Sequence, residues 1–513
     1  MYTTDDTSPL IIWNARQTDI ESDCACAVSK PTVLISKNSE LDDDCACPTP
    51  HYTNSHLQLN EGDIFITPAD MIVQQLPGRH ELLFNPSGIG KPVVVNESSK
   101  RIYDHFKTAC TIEEAVQHFA QIPKDTLIDV IRKYIDLQFL QNTAFTAKYT
   151  WDQSELLTAW IHITNACNLA CSYCYVNKSP QHMSLATGKR AIDAVFRSAK
   201  NHGYKRVKIK YAGGEPTLRF HTLITLHQYA QTLAERERLE LDGVVLTNGC
   251  TLSEKMIASL QAHNLRLSIS LDGIDQYHDR QRPYKNGKGS FKSIEHTLDL
   301  LKEAEVVPSI TITITNQNVI SLESTIAFLL SRGLLFSINF FRETNYTQSY
   351  SSSGLDHRIT IENMKKAFKV IEEKLPAYPI TGSLLDRVNL DTMHTKPCGV
   401  GESYMVIDHE GRIAKCHMVL EHPLTDIAEL DPLKVIREDQ SEIQNISVDE
   451  KLDCKDCTWR YWCAGGCPLT ARTTDNEQVA KSSYCEIYRA LIPEILRLEG
   501  LRLLKHANIE TTD

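Results

Sequence analysis

The chain has 513 residues, enough for about three domains at roughly 100–200 residues each. Its 54 Lys and Arg against 65 Asp and Glu leave a formal charge of −11, without the basic footprint of a general nucleic-acid binder. Apolar residues make up 42%, yet no run approaches the roughly 18–20 that span a bilayer, and the acidic start MYTTDDTSPLIIW is unlike a secretory signal. A cytoplasmic protein is expected, with no membrane or nucleic-acid partner, in a compartment that keeps thiols reduced.

Residues 1–55 are rich in Thr, Ser, Asp and Pro, show no sustained period and read as a flexible arm. The arm repeats DCAC at Asp23–Cys26 and Asp44–Cys47. The repeats read as a mobile tail with exposed thiols, a metal or redox arm, or a substrate mimic; C-x-C pairs on a loop fix no geometry.

Over 56–146, HLQLNEGDIFIT, HELLFNP and KPVVVN read as strands, β-branched and aromatic between turn signals. SSKRIYDHFKTA, TIEEAVQHFAQ and KDTLIDVIRKYIDLQFL have helical spacing, with Ser98 and Thr111 as N-caps of two of them. Strands followed by three short helices suggest a winged-helix unit. It would be a structural domain, or a clamp whose edge strand pairs with an extended peptide.

Over 150–345 strands and helices alternate. The strands are WIHITNA, RVKIKYAGG, LDGVVLTN, LRLSISLDG, VPSITITIT and LFSINFF, with helical stretches near 184–200, 218–236, 253–262, 290–304 and 319–331. Six β–α repeats predict an α/β fold with a parallel sheet curved into a partial (β/α)6 barrel, and put chemistry at the C-terminal ends of strands. A connecting helical segment over 346–390, a Cys-rich domain over 391–490 and a C-terminal helix and tail over 491–513 complete the chain.

Sixteen cysteines in a reducing compartment point to metal or iron–sulfur ligation rather than disulfides. Cys110 and Cys250 stand alone and read as small buried hydrophobes. Cys167-Asn-Leu-Ala-Cys171-Ser-Tyr-Cys174 follows the first barrel strand. Three thiolates at this spacing suit three irons of a 4Fe–4S cluster, leaving the fourth open to a small molecule; a zinc knuckle would usually be closed by a fourth protein ligand.

This loop resembles the signature of the radical S-adenosylmethionine superfamily, with Tyr173 at its aromatic position. Further family marks stand at the expected strand ends. In the family, the turn Gly213-Gly214-Glu215-Pro216 holds the methionyl amino group; glycines let carbonyls approach an ammonium, and Glu215 adds opposite charge. Thr247-Asn248-Gly249 and Ser270-Leu271-Asp272-Gly273 end the third and fourth strands, and the stretch His278–Phe291 looks like a family loop. The resemblance makes Ser270 and Arg282 candidates for the methionyl carboxylate, a planar partner suited to a guanidinium. Asn248 and Asp272 read as ribose contacts or turn formers.

Cys398-x17-Cys416 and Cys454-x2-Cys457-x5-Cys463-x3-Cys467, then Cys485, form the second field, with a hairpin YMVID/RIAKC closed by a turn containing Gly411. The run resembles the SPASM extension of peptide-modifying radical enzymes. The resemblance implies one auxiliary cluster on Cys454, Cys457, Cys463 and Cys485, and another on Cys398, Cys416 and Cys467. The second set lacks a fourth cysteine; Asp391, His394 or substrate could complete it.

The resemblance, carried by about 158–488, therefore implies a radical enzyme with about three 4Fe–4S clusters and S-adenosylmethionine. Its substrate would be a ribosomally made precursor peptide, with leader and core. An electron donor such as flavodoxin or ferredoxin would serve it. The 56–146 region looks like the PqqD-like recognition domain of such maturases. The rivals are an oxidase of a sulfatase active site, forming formylglycine, and an iron–sulfur carrier or scaffold without radical chemistry.

Overall fold

The structure is a computed structural model that describes residues 9–13, 50–51, 62–88, 91–144, 150–151, 154–343, 355–441, 443–473 and 479–507. Both DCAC repeats lie outside the described residues.

The N-terminal part holds β1 (Ile11–Trp13), β2 (Ile64–Ile66), β3 (Ile72–Leu76), β4 (His80–Phe84) and β5 (Val93–Val95). Three helices follow: α1 (Glu97–His105), α2 (Ile112–His118) and α3 (Lys124–Asp136). An antiparallel sheet runs in the order β1-β5-β4-β3. Thr111 caps α2 in a reciprocal capping box with Glu114. The cap of α1 is Asn96 rather than Ser98: its side-chain oxygen accepts from the Ser99 amide at 3.0 Å. The arm is also not wholly irregular, since Ile11–Trp13 and Pro50–His51 are strands. Such short segments carry no readable period; pairing with distant chain creates them.

The sheet has two covered faces. Leu83, Val93 and Val95 face the three helices, whereas Leu76, Leu82, Phe84 and Val94 join the core of the larger body. Trp462 packs on Phe84 with ring centroids 4.8 Å apart, and its Nε1 donates to the Pro86 carbonyl at 2.8 Å.

The larger body contains β6 (Leu156–Thr164), α4 (Leu185–Asn201), β7 (Arg206–Gly213), α5 (Phe220–Glu237), β8 (Glu240–Thr247), α6 (Glu254–Ala262) and β9 (Leu265–Ser270). It continues with α7 (Asp275–Gln281), α8 (Phe291–Glu303), β10 (Ser309–Ile314), α9 (Leu322–Ser331), β11 (Leu335–Phe340) and α10 (His357–Lys374). The five helices expected between the barrel strands are present; α7 is an additional short one. Strands β6 to β11 are mutually parallel neighbours in sequence order. Helices covering the sheet explain why all of β6 is buried.

Beyond β6 the same sheet continues with β12 (Tyr404–Ile407), β13 (Arg412–Ala414) and β14 (Thr425–Asp426). β12 runs parallel to β6 and antiparallel to β13, with Gly411 at φ +90° in the turn, the hairpin read from the sequence. The sheet thus has nine strands and ends on β11 and β14, an open barrel rather than a closed one. The last helix, α11 (Cys485–His506), starts at a cysteine, ahead of the expected 491, and Gly500 lets it approach Leu76 and Leu82 of the N-terminal sheet. No helix among the described residues is long and apolar enough to cross a membrane.

Candidate active site

The cysteine loop leaves the C-terminal end of β6 and is tied to its neighbours by backbone bonds. The Ala170 amide donates to the Pro283 carbonyl at 2.8 Å, and Ser172 to Gln281 at 3.0 Å. Lys178 Nζ reaches the Leu169 carbonyl at 3.0 Å. These bonds hold Cys167, Cys171 and Cys174 along one cavity of about 270 Å³. Among the described residues no three His, Cys, Asp or Glu side chains converge as they would on one metal ion. Three thiols along one loop suit a cluster, whose irons take one thiolate each. Burial pushes the Cys167 thiol up to about 11, a cost that metal ligation reverses by stabilising the thiolate.

The Gly213-Gly214 turn meets the root of this loop. The Gly214 amide donates to the Thr164 carbonyl at 2.7 Å and the Glu215 amide to Ala166 at 2.8 Å. A Cβ on Gly213, whose φ is +140°, would lie 2.2 Å from the Thr164 oxygen; one on Gly214 would lie 2.3 Å from that of Ala166. Only glycine permits this approach, and both glycines line the cavity.

Glu215 does not line it. Its fully buried carboxylate accepts from the Thr217 amide and hydroxyl, the Thr247 hydroxyl and the Asn248 amide, at 2.5–3.0 Å. It therefore locks the ends of β7 and β8 together, and burial pushes its carboxyl up despite those bonds. Asn248 does face the cavity, donating to the Asn168 side chain at 2.7 Å beside Cys167.

Ser270 and Arg282 also line the cavity. Arg282 pairs with Asp272 at 3.4 Å and donates to the Tyr173 hydroxyl, which in turn donates to Asp272. The guanidinium keeps one buried donor, Nε, without a partner among the described residues. Asp272 additionally accepts from the Thr313 amide at 2.8 Å, so it acts as the hub of a strand-end network and not as part of the cavity wall.

The seven C-terminal cysteines divide between two smaller cavities. Cys454, Cys457, Cys463 and Cys485 line one, with Lys481 and Arg489. Cys485 opens α11, where the positive end of the helix dipole opposes the burial that pushes its thiol up. Cys398, Cys416 and Cys467 line the other, with Arg342 and Arg387. Arg342 Nε donates to Cys467 Sγ at 3.1 Å while its Nη2 donates to both oxygens of buried Asp386 at 2.8 Å.

Asp391 and His394 do not line this three-cysteine cavity. Asp391 acts on Arg502. His394 is buried: it lines the cavity of Cys167, Cys171 and Cys174, lies 3.2 Å from the Thr392 carbonyl, and burial pushes its imidazole down to about 4. Cys110 and Cys250 are half-buried free thiols, and Cys250 lies close enough to Cys171 for the two to interact electrostatically.

Residues 161–329 match the family model described as Radical SAM superfamily. They form a radical SAM domain. An uncharacterized protein of Methanocaldococcus jannaschii is 29% identical over 221 residues, 43% of this chain and 71% of its own length. A serine-type anaerobic sulfatase-maturating enzyme of Klebsiella aerogenes is 22% identical over 369 residues, 67% of this chain and 88% of that protein. The structure described as native anSMEcpe with bound AdoMet and Cp18Cys peptide shares the fold at a TM-score of 0.54 and 19% identity, covering 67% of this chain and 99% of that one.

The cavity of the radical SAM domain shares wall residues with one of the C-terminal cysteine cavities. Arg342, Arg387 and His417 line both it and the cavity of Cys398, Cys416 and Cys467. Trp160 on β6, which lines the first of these cavities, stacks on His417 with ring centroids 4.4 Å apart. Sequence reasoning missed Trp160, Arg342, Asp386, Arg387 and His417. Arg342 was within reach of the strand-end rule, since it directly follows the sixth strand in LFSINFFR. Arg387 lies in irregular chain at φ +59° and carried no signal.

Proposed function

We propose that this radical SAM enzyme modifies a ribosomally made peptide, forming a crosslink or a related oxidised product. The carrying observation is the cavity whose walls include both Cys167, Cys171 and Cys174 and the residues Arg342, Arg387 and His417, which also border the cavity of Cys398, Cys416 and Cys467. Cys167, Cys171 and Cys174 would hold a 4Fe–4S cluster. The chemistry supplied by such a cluster, when bound and reduced, would be one-electron cleavage of S-adenosylmethionine to methionine and a 5′-deoxyadenosyl group able to take hydrogen from a substrate carbon. Gly213 and Gly214 would offer backbone oxygens to the methionyl ammonium, with Glu215 fixing their turn. Arg282 Nε and Ser270 would take the carboxylate. The buried walls keep water from the carbon radical.

Cys454, Cys457, Cys463 and Cys485 would hold one SPASM-type auxiliary cluster, and Cys398, Cys416 and Cys467 a second. Asp391 and His394 do not line that cavity, which supports substrate or solvent at the remaining position of the second cluster. Arg342 and Arg387 would favour its thiolates by opposite charge. The 56–146 region would bind the peptide's leader as a PqqD-like unit, and a flavodoxin or ferredoxin would supply electrons.

A second reading, oxidation of a sulfatase active-site residue, is favoured by the names of the relatives 22% identical to this chain. The deciding experiment reconstitutes the protein anaerobically, reduces it with S-adenosylmethionine, and follows 5′-deoxyadenosine by chromatography. Cleavage with a short peptide whose mass then falls by about two hydrogens supports the proposal. Cleavage with turnover only on a folded sulfatase supports the second reading. No cleavage at all leaves an iron–sulfur carrier and overturns both.

A further inference from the structure

The N-terminal sheet has two edges, and they are finished differently. β3 is braced by α11: Gln74 Nε2 donates to the Pro493 carbonyl at 3.0 Å, and Leu76 touches Gly500. The other side, β5, would be a bare edge of three valines were it not covered by β1. An unpaired edge is a template for an extended chain.

β1 covers it antiparallel, with Ile11 opposite Val95, Ile12 opposite Val94 and Trp13 opposite Val93. Asn96 anchors the arrival: its side-chain oxygen accepts from the Leu10 amide at 3.1 Å, and its own amide donates to the Leu10 carbonyl at 3.4 Å. Because the same oxygen caps α1, the anchor is part of the fold that receives the segment. Ile11 and Trp13 pack on the core of the three helices and Ile12 on the opposite face, the alternation of a bound strand. Lys133 of α3 stands 5.5 Å from the Trp13 ring centroid.

Two features mark β1 as an occupant. All three of its residues stay half-exposed, whereas Val93, Val94 and Val95 beneath are 0% exposed. The segment also arrives from 86 residues away in sequence, while β3, β4 and β5 follow one another directly. A strand supplied from so far along the chain is held by its own pairing rather than by continuity with its neighbour, so a second peptide can compete for the edge.

We propose that Leu10–Trp13 is the resident strand of a peptide-docking edge, and that substrate peptide docks by displacing it. The geometry specifies the partner's chemistry: an extended peptide with an apolar residue and an aromatic two positions apart, both facing the helices. The inference rests on the peptide-substrate reading for its biological partner. Its test reads binding alone, so failure of docking and failure of the radical chemistry are separable.

The probe is a dye-labelled synthetic peptide with the sequence of residues 8–15, followed by fluorescence anisotropy. The full chain carrying Ile11→Asp and Trp13→Asp should bind it at least roughly tenfold more tightly than the unmodified chain, whose edge is filled. Equal affinity for both, or binding to neither, overturns the proposal. Hydrogen exchange on the unmodified chain keeps the test sound if the variant fails to fold. With saturating probe, residues 9–13 should lose protection while Val93–Val95 keep theirs. Unchanged exchange at 9–13 overturns the proposal.

Discussion

The two cysteine fields of this chain are built in opposite ways. Cys167, Cys171 and Cys174 sit on one short loop whose shape is imposed by bonds to the end of β7 and to the chain that leaves α7. The C-terminal seven come from separate turns, a hairpin and a helix start, and are gathered by packing. A local motif is thus positioned by a distant scaffold, while a dispersed one depends on its own domain. Damage should follow the same division: changes in the loop should abolish chemistry and spare the other sites, whereas changes near the dispersed cysteines should cost stability as well.

The sharpest way to break that comparison is to remove the loop thiols. Cys167→Ala, Cys171→Ala and Cys174→Ala together should abolish S-adenosylmethionine cleavage by at least ~10³-fold and remove about four of about twelve irons. Iron analysis showing loss from all sites would mean that the fields are not independent. Next comes Arg342→Met. It leaves Asp386, whose side chain is 1% exposed, as a buried carboxylate without its main partner. We expect about 3–5 kcal/mol of destabilisation by chemical denaturation, and an altered paramagnetic spectrum of the site on Cys398, Cys416 and Cys467. A spectrum unchanged in a destabilised protein would reduce Arg342 to scaffolding.

The same contrast explains what was legible in the sequence. The barrel strands and the five helices between them could be read because β-branched runs and helical periods are local signals. The cysteine loop was legible because its ligands are near in sequence and its place after β6 follows from the fold. The partition of the C-terminal seven was available only through family likeness. Arg342 with Asp386, and Trp160 with His417, were not legible, because each pair joins residues distant in sequence. Ile11–Trp13 was read as arm for the same reason: its strand exists through pairing with Val93–Val95. Glu215 was placed at the correct turn, but its four internal donors arise from tertiary contacts that its sequence neighbours only partly announce.

A smaller change tests the scaffold without touching a thiol. In Gly214→Ala the new methyl would lie 2.3 Å from the Ala166 carbonyl oxygen, which belongs to backbone and cannot rotate away. We expect about 1–3 kcal/mol of destabilisation and weaker S-adenosylmethionine binding by calorimetry, with auxiliary iron retained. Normal binding would show that the turn does not set the loop.

The gentlest probe is acid, through His227 in the barrel wall. Its imidazole is buried, 3.2 Å from the Tyr211 hydroxyl and 3.2 Å from the His263 carbonyl, and burial pushes it down to about 4. The unfolded chain, with a value of about 6.5, takes up a proton first as pH falls. Stability from the neutral ring is therefore complete above about 6.5 and drains away as pH drops towards 4. Between pH 7 and pH 5 the loss from this one group is about 2 kcal/mol. His227→Gln keeps a polar side chain but cannot titrate, so its unfolding midpoint should vary less over that interval by the same amount. His394, also held near 4 but against the C-terminal region, provides the paired control through His394→Gln. If both variants flatten the curve equally and the double variant adds their effects, the barrel and the C-terminal region unfold as one unit. If His227→Gln alone flattens the loss of the radical SAM domain, the scaffold beneath the loop melts separately from the domain that gathers the other seven cysteines.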